Sequence, residues 1–343
     1  MERFKVFGAA LDALDLPEKV ALKLAYTESM KGYPIHELPL DPYDAIKDSL
    51  GRQGYASTDV EWVGKFPIET WLSPRPATGD ERFLTGAFFT DFLDKNGCLI
   101  YSEKLVSYLK SNVYPARPVM IGVDHSLTGG VLRYLSEFNH DFNVVIFDSH
   151  TDIIDFNSKR SLVNYPVANS NTELPDIYEC GSFLNHLLEE NIIKADRLWI
   201  LGTQDVLENN NTPQGKPYAE KLQNWTERGV HLISKKDLVR SGIPHQIEGP
   251  TYVSIDIDLG CYSCVLACRF MNRVGLESNE IIRILHSLSD MIKENKIILI
   301  GLDVMEIDVH FLNEEISERH DYTLEIVTEI FKELIFSVFD RNL

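Results

Sequence analysis

From about residue 117 onward, short apolar runs rich in β-branched residues alternate with stretches whose apolar positions recur at helical spacing. PVMIGV, NVVIFD, RLWILGT, VHLIS, YVSIDID and IILIGLDVME read as strands. The segments near Ser126–Glu137, Gly181–Glu190, Lys216–Arg228, Lys235–Arg240, Ser278–Lys296 and Thr323–Phe339 read as helices. Near-continuous apolar strands separated by helices imply a mostly parallel sheet covered on both faces, an α/β fold of three α/β/α layers. The first 116 residues are less regular. KVFGAALDA predicts a strand and Pro17–Lys31 a helix. Glu61–Phe88, with Pro67, Pro74, Pro76 and several aromatics, predicts a long irregular loop. The expected organisation is one domain over residues 1–343, with 1–116 an amino-terminal elaboration and 117–340 the core.

In parallel sheets of this kind ligands bind beyond the carboxyl ends of the strands. Three polar clusters fall at such ends: Asp124 and His125 in IGVDHS, Asp148, His150 and Asp152 in VVIFDSHTD, and Asp256 and Asp258 in YVSIDIDLG. Alternation along extended chain lets Asp148, His150 and Asp152 point one way, and likewise Asp256 and Asp258. Carboxylates converging with imidazoles repel unless a cation neutralises them. Hard oxygens with two imidazoles suit a pair of divalent ions. A second long loop, Asn157–Asp176, follows the middle cluster, where a lid or recognition element is common.

Charge and cysteine content narrow the partners. The net charge of −19 over 343 residues argues against nucleic acid or an anionic membrane surface and favours cations, including guanidinium or amine substrates. The start, MERFKVFGAALDAL, lacks the features of a secretory leader, and no apolar run approaches the ~20 residues that span a bilayer. Five cysteines in a chain this long suit a reducing compartment, so a cytoplasmic location is expected.

The clusters, in order GVDHS, DSHTD and SIDID, resemble those of the ureohydrolase superfamily of arginases and agmatinases. LWILGTQDV, HLISKKDLVRSGI and GLDVMEID extend the likeness over roughly residues 117–340. The resemblance implies an arginase-like fold and two manganese ions. His125, Asp148, Asp152 and Asp256 would hold one ion, and His150, Asp148, Asp256 and Asp258 the other, with Asp148 and Asp256 bridging. Asp124 is expected to orient rather than ligate. Glu306 in VMEID matches the family carboxylate that receives the substrate guanidinium, a planar cation suited to bidentate contact. Asp152 would relay a proton to the leaving amine, and urea would be released. Ureohydrolases often form trimers or hexamers, so a homo-oligomer is also implied.

Departures from arginase bear on the substrate. Where related arginases hold the α-carboxylate with an asparagine, this chain has Ile154. Where they hold the α-ammonium with an aspartate, it has Leu207, with Glu208 beside it. Apolar side chains facing a charged amino-acid end would leave charges unpaired, at a cost of several kcal/mol. The favoured substrate is therefore arginine within a peptide, converted to ornithine as in peptide-modifying arginases. Agmatine or another small guanidine comes next and free arginine last. A non-catalytic metal-binding protein and a hydrolase of another C–N bond are the competing classes. The family's proton-shuttling histidine has no clear counterpart where Glu179 and Cys180 precede Gly181: the shuttle is either lost, replaced by Glu179, or supplied by another residue such as His310, with His186 reading as a partly exposed helix residue. Cys261, Cys264 and Cys268 replace the usual Asp-Pro after Asp258 and read as small side chains packed beneath the loop, with a metal site the lesser reading.

Overall fold

A computed structural model describes residues 3–32, 41–55, 59–153, 177–204, 216–270, 274–312, 314–316 and 319–337. Among these, eight strands form one sheet: β1 Phe4–Ala9, β2 Val60–Lys65, β3 Arg117–Gly122, β4 Asn143–Phe147, β5 Leu198–Thr203, β6 His231–Ser234, β7 Gly249–Asp256 and β8 Ile297–Met305. Their order is β2-β1-β3-β8-β7-β4-β5-β6, and every pairing is parallel.

The two-residue repeat of the strands sorts side chains between the two faces. Val119 and Ile121 of β3, Val145 and Phe147 of β4, and Val253 and Ile255 of β7 join one apolar cluster with the helices Pro42–Arg52, Ser278–Lys293 and Thr323–Phe331. Met120, Val144, Ile146 and Tyr252, one register step away, join the other with Gly97–Asn112, Thr128–Ser136 and Phe183–Glu189. Each fully buried aliphatic side chain contributes on the order of 1.5–3 kcal/mol. Both faces are thus covered, which explains why the central strands are apolar throughout rather than alternating.

Two elements of the amino-terminal region differ from expectation. Val60–Lys65 is an edge strand and Gly86–Asp94 a helix, where a continuous irregular loop is predicted from Glu61 to Phe88. Val60–Lys65 has one buried position and five partly or fully exposed ones, so it lacks the apolar run that marks the interior strands. The helix starts where Thr85 Oγ1 accepts from the Phe88 amide, a capped start that needs no proline or acidic signal. No helix among the described residues is long and apolar enough to cross a membrane.

Candidate metal centre

The three clusters meet at the carboxyl ends of β3, β4 and β7, with β8 between β3 and β7. Strand alternation delivers only part of this. β4 ends at Phe147, and Asp148, His150 and Asp152 lie in the loop beyond it, Asp152 with φ +50°. β7 ends at Asp256, and a 3-10 turn over Ile257–Leu259 carries Asp258. Loop amides fix the acids. The His150 amide donates to Asp148 Oδ1 at 2.6 Å, Ser149 to Asp258 Oδ1 at 3.2 Å, and Asp258 to Asp256 Oδ1 at 2.8 Å. Gly202 at the end of β5 has φ +110°, and a Cβ there would sit 3.0 Å from Asp148 O and 2.2 Å from the Leu259 side chain. Only glycine lets that strand approach the loop.

His125 follows β3 in a buried 3-10 turn that Asp124 caps by accepting from the Ser126 amide and hydroxyl. Its Nε2 shares a hydrogen bond with Ser254 Oγ at 2.9 Å, which turns Nδ1 toward the acids. Nδ1 lies 3.0 Å from Asp152 Oδ2, 3.2 Å from Asp256 Oδ2 and 3.3 Å from Asp148 Oδ2. On the far side of Asp148, His150 Nδ1 lies 2.8 Å from Asp258 Oδ2 and 3.6 Å from Asp148 Oδ1. His125, Asp148 and Asp256 therefore form one group of ligand atoms and Asp148, His150 and Asp258 a second, with Asp148 common to both. Asp152 joins the first through His125.

The electrostatics of this arrangement call for cations. Burial opposes charge on His125, yet the Asp148, Asp152 and Asp256 carboxylates outweigh it and hold its pKa well above the ordinary imidazole value. Burial, together with the charge of Asp148, pushes Asp152 up to about 8. Burial, then Asp258 and Asp148, pushes Asp256 well above the usual carboxylate range. His125 Nδ1 and Asp148 Oδ2 are buried and make no hydrogen bond among the described residues. The donor set of oxygens and two imidazoles around such atoms fits two divalent ions.

Above the acids opens a cleft of about 160 Å³ lined by His150, Asp152, Cys180, Gly181, Asp256, Asp258, Phe270 and Glu306. Glu306 is buried at the end of β8 with φ +64°, and its amide donates to Val123 O. Its Oε1 is already engaged, accepting from the His125 amide at 3.1 Å and from Arg269 Nη1 at 3.0 Å. The bidentate contact expected from sequence therefore meets a carboxylate with one oxygen taken. Burial raises the Glu306 pKa to about 7 even with the Arg269 guanidinium beside it.

Of the other candidates, Cys180 lines the cleft and Glu179 is buried just before it. His186 packs edge-on against Tyr178 at 5.3 Å, and His310 Nε2–H donates to Pro74 O at 2.8 Å. Neither ring lines the cleft. Cys261, Cys264 and Cys268 are buried within the apolar cluster on the β7 side, with Cys261 and Cys264 Sγ atoms 3.7 Å apart. Ile154, Leu207, Glu208 and the Asn157–Asp176 loop lie outside the described residues. Sequence reasoning missed Arg269, although a single cation within the apolar run VLACRF marks a buried charge in need of partners.

A profile of the Arginase family matches residues 83–335, well over half the chain. The chain is 26% identical over 240 residues to proclavaminate amidinohydrolase of Streptomyces clavuligerus, covering 68% of this chain and 64% of the relative. It is 23% identical over 217 residues to formimidoylglutamase of Halalkalibacterium halodurans, covering 60% and 58%. These alignments span less than two thirds of either relative. The arginase structure from Bacillus subtilis superposes with a TM-score of 0.61 at 16% identity, covering 100% of both chains, a likeness of fold. The chain belongs to the Arginase family.

Proposed function

We propose that this protein is a binuclear manganese hydrolase that splits a guanidinium group into an amine and urea, acting on arginine within a peptide to leave ornithine. The observation that carries the chemistry is the pair of carboxylate–imidazole groups sharing Asp148 beneath a cleft whose wall includes Glu306. Two divalent ions held by His125, Asp148, Asp152 and Asp256 and by His150, Asp148, Asp256 and Asp258 would supply a water of lowered pKa and Lewis-acid polarisation. The chain's own residues do the rest. Glu306 accepts from the substrate guanidinium and orients its carbon toward the acids. Asp152 moves a proton from water to the leaving amine nitrogen. Phe270, edge-on to His150 at 6.5 Å, bounds the cleft.

The peptide reading rests on Ile154 and Leu207 standing where anchors for a free amino acid would be. The cleft, at about 160 Å³, suits a guanidinium head whose remainder lies outside. A small guanidine such as agmatine is the second reading, supported by relatives named for small-molecule substrates. The test is urea release by the manganese-loaded protein from a blocked arginine tripeptide, agmatine and free arginine. The tripeptide is expected to turn over fastest and arginine slowest. Faster agmatine turnover would favour the second reading. No urea from any of the three, with metal bound, would sink the guanidine assignment.

A further inference from the structure

Arg269 stands at the centre of a buried charge network that reaches the recognition carboxylate from behind. Its Nη1 lies 3.0 Å from Glu306 Oε1 and donates to Val123 O at 3.2 Å. Its Nη2 lies 3.2 Å from Asp124 Oδ2, and its Nε 3.2 Å from Asp12 Oδ1. Asp12, in the segment after β1, also pairs with Lys23 of helix Pro17–Ser29 at 3.1 Å. All five ionic side chains are buried, two cations against three carboxylates. Buried ions are sustained only when each is paired and hydrogen-bonded, and removing one partner strands the others. Glu306 Oε1 is shared between Arg269 and the His125 amide, whereas Oε2 is buried without a hydrogen bond among the described residues.

We infer that Arg269 is a positioning residue that turns Glu306 into a single-oxygen acceptor: the internal guanidinium occupies Oε1 and leaves Oε2 alone for the guanidinium of the substrate. This rests on the proposed guanidine hydrolysis and deepens it. The backbone of Glu306 is in the left-handed region, so the side chain cannot be re-aimed by a small backbone adjustment without cost. Arg269 clamps it from one side and the His125 amide from the other. The substrate cation is then steered by one charge-assisted contact and by the surplus negative charge of the network. Asp12 and Lys23 extend this control to the amino-terminal segment, giving that region a part in setting substrate geometry.

The test compares the manganese-loaded parent with Arg269→Gln, Arg269→Lys, Arg269→Ala and Asp12→Asn. Urea release from agmatine and the blocked arginine tripeptide is followed with manganese per chain and thermal melting. Arg269→Gln is expected to raise KM at least ten-fold, to lower kcat by less, and to leave manganese content unchanged, with Arg269→Lys falling between it and the parent. Asp12→Asn touches Arg269 but not Glu306, and should raise KM about three-fold. Millimolar guanidinium should lower KM in Arg269→Ala by filling the vacated position, while raising it in the parent by competition. A KM within two-fold of the parent in folded Arg269→Gln overturns the inference, as does loss of manganese in step with activity, which would make Arg269 a support of the metal loop. Should Arg269→Gln fail to fold, the KM of Asp12→Asn decides in the same sense. Absence of urea from the parent with every guanidine would remove the hydrolase reading and the inference with it, a result distinct from an unperturbed variant.

Discussion

Replacing Asp256 by Asn separates the cost of the crowded acids from the benefit of the metal. Without metal, burial and the neighbouring Asp258 and Asp148 charges hold the Asp256 pKa well above the carboxylate range, which favours the protonated form. Asparagine has nearly the shape and polarity of that protonated acid, so the metal-free stability should change by no more than about 1 kcal/mol, a melting shift of about 1.4 °C. With metal, a ligand that binds only the folded state stabilises by about 2.7 kcal/mol per site at a hundred-fold excess over its Kd. Two sites then give roughly 5 kcal/mol. A chain of 343 residues has an unfolding entropy of roughly 0.7 kcal/mol per kelvin, so the parent should gain about 7 °C on saturation with manganese. Asp256→Asn should gain less than half of that and release no urea. Differential scanning calorimetry with and without manganese measures both terms. A full metal-induced rise in the variant would show that Asp256 is not a ligand. A large drop in its metal-free melting temperature would show that the acid is not carried protonated.

Other outcomes follow from the same geometry. Asp152 is held at about 8, first by burial and then by Asp148, against an ordinary 3.8. The folded metal-free chain therefore binds more protons than the unfolded chain between about pH 4 and 8, and its stability should fall as pH rises through that window. Metal displaces those protons, so the manganese-induced shift should be larger at pH 8 than at pH 6, and paired melts at the two values check it. Glu306→Gln should raise KM for a guanidine about 10–100-fold, the worth of a charge-assisted hydrogen bond, with manganese content unchanged by atomic absorption. Loss of metal would place Glu306 among the ligands instead. Gly202→Ala forces a methyl against Asp148 O and Leu259 at a backbone angle alanine resists, and should cost roughly 1–3 kcal/mol in denaturant melts. It should also weaken manganese binding at least ten-fold by titration.

The interior of the sheet is legible in sequence because β3, β4, β5, β7 and β8 are buried on both faces over most of their length and so read as largely apolar runs. The acids are legible for a related reason: charged residues abutting such runs have nowhere to go but the strand ends. Val60–Lys65 escapes because an edge strand keeps much of its surface in solvent and carries no such run. His150 and Asp152 reach the centre through loop geometry and a left-handed backbone at Asp152, not through alternation. Arg269 and Asp12 are more than two hundred residues apart, and an ion pair between them leaves no periodic trace. Only their isolation among apolar neighbours hints that each needs a partner.

The strand order also governs when the site can come into being during synthesis. β3 and β4 are consecutive in the chain but not neighbours in the sheet, since β8 and β7 lie between them. Until residues Gly249–Met305 have been made, a nascent chain holds two half-sheets with facing, unpaired inner edges, and His125 stands on one while Asp148 stands on the other. At roughly 5–20 residues per second, the interval from the end of β4 to the end of β8 is about 8–30 s. Through that time the edges are open to wrong partners, and the two groups that could hold a metal are not yet assembled. Closure comes as the last strands slot into the middle, so folding of the sheet and assembly of the candidate metal centre are one event, and truncation before Met305 should leave neither.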